Sequence, residues 1–301
     1  MSKRQLVLVT GAPRSGTTVV GNALRTSWRH REIYEAMNAF VGDKAIRNQF
    51  EVPGAGGFSE AALDDLVERI ETGRLRLRKS LLKQRNPYLN RTNMSMAGAN
   101  FVPLVTHLIW KDPFAFFCAP HLARRGMPVI VTQRNHLSLV GSFKRMDWLA
   151  PVGDLSKRMV EAGYEIDRGL LAQCQDASTP TETGALMWHL LNLALLRWLE
   201  DGEPVNVVRN DDLLFSTDEV SERLHRITGL PVALEKAESE TAAPPQEPLP
   251  QKAHIANRDA KSITDYWKTL LDEDEVALAL DLNGELAQRL DDKLSSTVVP
   301  V

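Results

Sequence analysis

A glycine-containing turn near the start of the chain has the residue types that hold phosphate. Gly11–Thr18 reads GAPRSGTT and fits the pattern G-x-x-x-x-G-[KST]-T. In that pattern, backbone N–H groups and the dipole of the following helix attract a phosphate group. The lysine with which ATP- and GTP-binding loops reach the β- and γ-phosphates is replaced by Thr17. We therefore expect a loop for a single phosphate, with Arg14 as its cation.

A second pair of residues, Arg134 and Ser142, would on its own be an ordinary strand-end arginine and helix serine. Arg134 directly follows the apolar run Pro128–Gln133, and Ser142 comes eight residues after it. The pattern after Asn135 predicts a helix, so Ser142 lies two turns into that helix. A guanidinium at a strand end and a hydroxyl on the facing side of the next helix can grip one phosphate from two directions.

The elements around these residues alternate between strand and helix patterns, which predicts an α/β fold with a central parallel sheet. The predicted strands are Gln5–Thr10, Arg31–Tyr34, Val102–Lys111, Pro128–Gln133 and Pro204–Val208. The predicted helices are Thr17–Trp28, Ser59–Thr72, the stretches after Pro113 and Asn135, Leu155–Gly202 with a break near Ser178–Pro180, Asp218–Ile227 and Asp259–Leu290. We expect three α/β/α layers around the sheet, with further helices added to them.

Composition narrows the classes of partner. The net charge of -3 gives no general attraction to polyanions, so nucleic acid is excluded as an expected partner. Cys118 and Cys174 lack the spacing of a zinc site, which favours a reducing compartment. The N-terminus has no apolar run of signal-peptide length, and no stretch reaches the ~20 apolar residues of a membrane span. We expect a soluble, cytoplasmic protein.

Three motifs together resemble the sulfotransferase superfamily. The run Arg14–Thr18 resembles its 5′-phosphosulfate loop, and the pair Arg134 and Ser142 resembles its 3′-phosphate element. The stretch Trp110–Phe114, WKDPF, resembles the Lys-Asp-Pro-Phe stretch of tyrosylprotein sulfotransferases and their bacterial relatives. The resemblance runs in order over Leu6–Leu230. It implies transfer of the sulfuryl group of 3′-phosphoadenosine-5′-phosphosulfate to a hydroxyl or amine, without a metal, leaving adenosine 3′,5′-bisphosphate.

The resemblance also implies roles for individual residues. Lys111 is expected at the reaction centre, where it faces the transferred group. Glu35 ends the second predicted strand and matches the position of the catalytic glutamate, although "EA" stands here for the usual "EP". The expected general base is therefore Glu35, with His107 and Asp112 as alternatives. The expected nucleotide ligands are Arg14, Ser15, Gly16, Thr17, Thr18, Arg134, Ser142 and, after the proline-rich segment, Arg258.

Further segments extend the resemblance and also depart from it. Trp188, Arg209–Leu213 and Ile227–Gly229 look like the family's tryptophan helix, "YEDL" loop and "FLGL" helix end. Asn210 and Asp211 stand where Tyr and Glu are usual, so those acidic contacts are not carried over. The resemblance implies a sulfotransferase domain over 1–234, in which 43–101 is a variable insertion on the acceptor side. A proline-rich flap or linker follows at 235–251, and C-terminal helices over 252–301 pack on the same domain.

Two other functions stay open at this point. A P-loop kinase of a small molecule would use the same loop, but it would need the missing lysine and an acidic Mg²⁺ ligand. A non-catalytic nucleotide-binding protein would keep the phosphate ligands, while Glu35 and Lys111 would do no chemistry. The acceptor stays open among carbohydrate, peptide tyrosine, lipid and secondary-metabolite alcohol, and the oligomeric state is open too.

Overall fold

Five parallel strands form the centre of the protein. The computed structural model describes residues 4–78, 90–101, 104–235 and 264–297. The strands are β1 (Gln5–Gly11), β2 (His30–Tyr34), β3 (His107–Lys111), β4 (Val129–Gln133) and β5 (Asn206–Arg209), in the order β2-β3-β1-β4-β5. All four strand pairings are parallel, which confirms the sheet predicted from the sequence.

Helices connect the strands. The α-helices are α1 (Thr17–Ala23), α2 (Glu60–Thr72), α3 (Arg91–Phe101), α4 (Ala119–Arg124), α5 (His136–Met146), α6 (Val152–Glu161), α7 (Arg168–Asp176), α8 (Pro180–Glu200), α9 (Asn210–Phe215), α10 (Thr217–Thr228) and α11 (Glu273–Thr297). Short 3₁₀ helices span Pro113–Cys118 and Tyr266–Thr269.

The central strand separates two hydrophobic cores. Successive side chains of a strand point to opposite faces, so Leu6 and Leu8 enter the larger core with residues of α2, α5 and α8. Val7 and Val9 enter the smaller core with residues of α1, α9 and α10. Burial of both faces explains why β1 is a continuous apolar run. The three-layer arrangement expected from the sequence is therefore present.

Several element boundaries differ from the sequence prediction. The first helix ends at Ala23 instead of Trp28, and the strand predicted from Val102 begins at His107. The long predicted helix has a further break between α6 and α7, where Gly163 adopts φ +84°. The next residue, Tyr164, accepts a hydrogen bond from the indole N–H of Trp198, at 2.9 Å. This tertiary contact holds the chain where it turns. The helical periodicity of apolar residues in the sequence does not show such a contact.

The C-terminal helix lies against the rest of the chain. The amide of Asn283 on α11 donates to the Ala185 carbonyl at 3.3 Å, and the ring nitrogen Nδ1 of His189 lies 3.0 Å from the Leu282 carbonyl. The proline-rich flap falls outside the described residues, apart from its first residue. Within the described ranges, no helix combines the length and apolar character needed to cross a membrane.

Parallel pairing decides where a site can form. The carboxyl ends of all five strands meet at one edge of the sheet, and the residues after them are carried to that edge. β2 and β3 lie on one side of β1, and β4 and β5 lie on the other side. The chain after β1 therefore first adds strands on one side of β1 and then crosses to the other side. Such a switch point leaves a crevice at the strand ends in open α/β sheets.

Candidate active site

The turn after β1 is closed by its own hydrogen bonds. The Ser15 N–H donates to the Ala12 carbonyl at 3.1 Å. The Ser15 hydroxyl donates to the same carbonyl at 2.6 Å and lies 2.6 Å from the Thr132 hydroxyl. Ser15 is fully buried. It therefore holds the turn in shape, whereas the sequence reading expected its N–H to face a phosphate.

The first turn of α1 faces open space instead. Gly16 adopts φ +104° immediately before α1, a conformation that favours glycine. The N–H groups of Thr17 and Thr18 belong to a helical first turn, in which no intrahelical carbonyl reaches them. The Asn210 amide, at the start of α9, donates to the Ser15 carbonyl at 3.3 Å and supports the turn.

One cavity gathers most of the residues predicted from the sequence. It has a volume of about 720 Å³ and lies at the carboxyl edge of the sheet. Ser15 does not line it, and Arg258 lies outside the described residues. The predicted residues that do line it are Arg14, Gly16, Thr17, Thr18, Glu35, Lys111, Arg134 and Ser142.

The two predicted phosphate elements are joined to each other. Arg14 donates through Nε to the Ser142 hydroxyl at 3.2 Å. Arg134 donates through Nη1 to the Arg14 carbonyl at 2.9 Å, and its own carbonyl accepts from the Trp188 indole at 2.7 Å. Arg14 has φ +73°, a left-handed conformation that costs a non-glycine residue about 1 kcal/mol or more. The contacts with β4 and α5 hold Arg14 in that conformation.

A buried ion pair lies at the ends of β2 and β3. The Lys111 ammonium is 3.3 Å from a Glu35 carboxylate oxygen and 3.9 Å from the centre of the Tyr34 ring. The other carboxylate oxygen of Glu35 accepts from the Asn38 amide at 3.0 Å. The Lys111 side chain is 3% exposed and that of Glu35 is 15% exposed. The ammonium is therefore neutralised within the cavity wall by the carboxylate that the sequence assigns as base.

The phenol beside this pair stays protonated. Burial raises the pKa of Tyr34 far above its ordinary value, and the negative charge of Glu35 raises it further. Glu35 itself has φ +48°, and its N–H donates to the Lys111 carbonyl at 2.9 Å. This bond continues the β2–β3 ladder and fixes the height of Glu35 along the sheet.

Asp112, one of the two alternative bases, is turned away from the cavity. Its carboxylate accepts from the Met37 N–H at 2.6 Å, the Trp110 indole at 3.1 Å and the Phe114 N–H at 3.0 Å. Burial raises the pKa of Asp112 to about 7, against hydrogen bonds that favour its charged form. The side chain is fully buried. Asp112 therefore ties the turn after Glu35 to the end of β3.

His107, the other alternative, lies at the opposite edge of the sheet. It is the first residue of β3, and its ring nitrogens lie 2.6 Å from the Gln5 side-chain oxygen and 2.9 Å from the Thr106 hydroxyl. Neither His107 nor Asp112 lines the cavity. Glu35 is the one of the three candidate bases that the fold brings to it.

The chain is similar to two solved sulfotransferase domains. The domain from the curacin biosynthetic pathway is 17% identical, with 97% of this chain and 98% of that chain covered and a TM-score of 0.47. The domain from the Synechococcus PCC 7002 olefin synthase is 10% identical, with 100% and 98% covered and a TM-score of 0.39. The sequence matches no protein-family model and no curated protein. At these identities and TM-scores the likeness carries no argument about what this chain does.

Apolar side chains wall the cavity next to Glu35. Phe50 and Phe114 pack edge to face with their ring centres 5.2 Å apart. The buried guanidinium of Arg158 donates to the Phe50 and Gln49 carbonyls and so fixes the turn that carries Phe50. Three further apolar residues that line the cavity are Phe40, Trp148 and Leu149. These apolar side chains line a part of the cavity beyond the predicted phosphate ligands.

Sequence reasoning missed some residues of the cavity. Tyr266 and Trp267 line it from the segment before α11, and Ser138 anchors that segment by donating to the Thr264 carbonyl at 2.9 Å. Arg145 lines it from the last turn of α5. The signal for Arg145 was present, because residues three apart on a helix share a face and Arg145 follows Ser142 at that spacing.

Proposed function

We propose that this chain is a sulfotransferase that uses 3′-phosphoadenosine-5′-phosphosulfate and transfers its sulfuryl group to an acceptor hydroxyl or amine. One observation carries the proposal. The two sets of residues predicted to bind phosphate are linked by the Arg14–Ser142 hydrogen bond, and they line the same cavity as the Lys111–Glu35 pair. A nucleotide with phosphate groups at both its 3′ and 5′ positions could occupy both sets of residues. A ligand with a single phosphate would occupy only one of them.

The residues fit the chemistry of that nucleotide. Arg14 and the N–H groups of Thr17 and Thr18 would hold the 5′-phosphate, and Arg134 with Ser142 would hold the 3′-phosphate. Charge-assisted hydrogen bonds of this kind are the strong ones in proteins. Preorganised donors at the 5′-phosphate stabilise the negative charge that grows there as it leaves.

Transfer needs a proton acceptor beside the attacking atom. The Glu35 carboxylate would take the proton of the acceptor hydroxyl while the acceptor oxygen bonds to sulfur. The bond between sulfur and the phosphate oxygen breaks, and its electron pair leaves on the 5′-phosphate of adenosine 3′,5′-bisphosphate. Lys111 lies 3.3 Å from Glu35, so its ammonium would meet negative charge on the transferred group. Asp112 positions Glu35 through the Met37 N–H.

The kinase alternative gains no support from the cavity. Such an enzyme would require an acidic ligand for Mg²⁺ after a strand. Asp112 follows β3, but its carboxylate is occupied by three N–H donors and faces away from the cavity. Glu35 follows β2 and lines the cavity, but its carboxylate is paired with the Lys111 ammonium at 3.3 Å. The non-catalytic alternative differs from our proposal in the role of Glu35, and it is separated by assaying turnover.

Calorimetric titration with adenosine 3′,5′-bisphosphate tests the proposal, with ATP and Mg²⁺ as the comparison. We expect a dissociation constant in the micromolar range, about -8 kcal/mol, and a much weaker response to ATP. Preference for ATP would contradict the assignment of Arg134 and Ser142. Bisphosphate binding without sulfate transfer to any member of a broad acceptor panel would favour the non-catalytic alternative.

A further inference from the structure

Arg145 carries a charge that the proposed mechanism does not use. Its side chain lines the cavity from the last turn of α5. Among the residues that the structure describes, none accepts a hydrogen bond from its buried Nε or Nη1. Its guanidinium carbon lies 5.8 Å from the centre of the Tyr266 ring. Buried donors left without an acceptor are costly, and those of a charged group more so.

The position of Arg145 shows which anion it can reach. Ser138, Ser142 and Arg145 follow one another at helical spacings of four and three residues, so they form one stripe on α5. All three line the cavity. Ser142 stands in the middle of this stripe and bonds to Arg14 of the phosphate loop. A phosphate held by Ser142 therefore lies within one helical turn of the Arg145 guanidinium.

The neighbouring basic residue is engaged elsewhere. Lys144 is 2.5 Å from a carboxylate oxygen of Glu275 on α11 and does not line the cavity. Arg145 thus differs from the basic residue before it by facing the cavity and by having no carboxylate partner among the described residues. A cation in the last turn also stabilises a helix through its dipole, which is the structural role that a test must separate from ligand binding.

From this geometry we infer that Arg145 is a ligand of the nucleotide's 3′-phosphate and selects nucleotides that carry it. The inference rests on the proposed function and adds a specificity residue to it. The guanidinium would donate its Nε–H or Nη1–H to a phosphate oxygen, and a hydrogen bond from a charged donor to a phosphate is among the strong ones in proteins. Arg134 and Arg145 would then hold the phosphate from the strand end and from the helix, with Ser142 between them.

Removing one partner at a time tests the contact. Wild type, Arg145→Ala, Arg145→Lys and Arg226→Ala are titrated with adenosine 3′,5′-bisphosphate and with adenosine 5′-monophosphate, the latter to millimolar concentration. We expect Arg145→Ala to weaken bisphosphate binding by about 10- to 100-fold and monophosphate binding by no more than about 3-fold. Arg145→Lys should fall between the alanine variant and wild type, because it keeps the charge and loses the fixed, planar arrangement of the guanidinium donors.

Arg226→Ala is the matched control. Arg226 is an exposed arginine in the last turn of α10, outside the cavity, so the substitution removes the same charge from the same kind of helix end. We expect it to leave both affinities unchanged.

Three results would overturn the inference, and each has a distinct meaning. Equal losses for both nucleotides in Arg145→Ala would show that the residue acts by supporting Tyr266. Unchanged affinities for both would show that it does not contact the nucleotide. If both nucleotide affinities are unchanged and the KM for the acceptor rises, Arg145 binds the acceptor and not the nucleotide. A wild-type protein without preference for the bisphosphate would instead contradict the proposed function itself.

Discussion

The substitution Glu35→Gln tests two separate roles of Glu35, its contribution to catalysis and its contribution to the stability of the protein. The substitution keeps the shape of the side chain and removes its charge, so the Lys111 ammonium loses the carboxylate 3.3 Å away and keeps its contact with the Tyr34 ring. At 3.3 Å and an effective dielectric constant of about 20, the lost attraction is about 5 kcal/mol. Breaking a buried pair from one side typically costs about 3–5 kcal/mol of unfolding free energy. We expect a loss in that range, and a decrease in kcat of about 10²- to 10⁴-fold.

Two further variants make this prediction specific. Glu32 lies on β2, the strand that precedes Glu35, and Glu32→Gln breaks its ion pair with Arg91 at 3.1 Å. Neither residue of this pair lines the cavity. This substitution should lower stability and leave kcat unchanged. The double variant Glu35→Gln/Lys111→Met should be more stable than Glu35→Gln alone, because no unpaired ammonium remains. It should stay inactive.

The assays are urea unfolding, bisphosphate titration and initial rates of sulfate transfer, all at a temperature where each variant is folded. Bisphosphate affinity should persist in Glu35→Gln, since the carboxylate is not among the proposed phosphate ligands. Wild-type kcat in Glu35→Gln would refute the assignment of the base. It would leave no replacement among the sequence candidates, because His107 and Asp112 do not line the cavity.

Three other substitutions test the loop and its supports. Arg14→Ala should weaken adenosine 3′,5′-bisphosphate binding by about 10- to 100-fold, and an unchanged dissociation constant would contradict its role. Gly16→Ala should lower the free energy of unfolding by about 1–3 kcal/mol, because φ of Gly16 is +104° and a Cβ would lie 2.9 Å from the Asn210 amide nitrogen. An unchanged midpoint of urea unfolding would contradict this. Burial raises the pKa of Asp112 to about 7 from its ordinary value of 3.8, so the native state binds a proton that the unfolded chain releases. Wild-type stability should therefore fall as pH rises from 5 to 7, by up to about 3 kcal/mol. Asp112→Asn should remove this component, and the same slope in both proteins would refute it.

Much of the fold could be predicted from local patterns. The apolar run at Leu6–Val9 and the alternation of elements indicated a parallel sheet, and Thr179 with Glu182 form a capping box at the start of α8. Most of the residues that the sequence assigns to the chemistry line one cavity, because parallel strands bring their carboxyl ends to one edge of the sheet. The boundaries were less predictable, as at Gly163, since tertiary contacts such as that of Tyr164 with Trp198 decide where a helix stops.

The sequence by itself determined the identities and chain positions of the phosphate loop, of Arg134 with Ser142, and of Glu35 and Lys111. Only the tertiary structure decided which way their neighbours face. Ser15 turns inward because Ala12 and Thr132 bind it, and Asp112 turns away from the cavity because three N–H groups converge on it. Helical spacing from Ser142 pointed to Arg145, but only the position of α5 along the cavity showed that Arg145 lines it. The direction of a side chain depends on hydrogen-bond partners that are distant in the sequence. The spacing of residues in a short motif does not show which of these partners the fold brings to it.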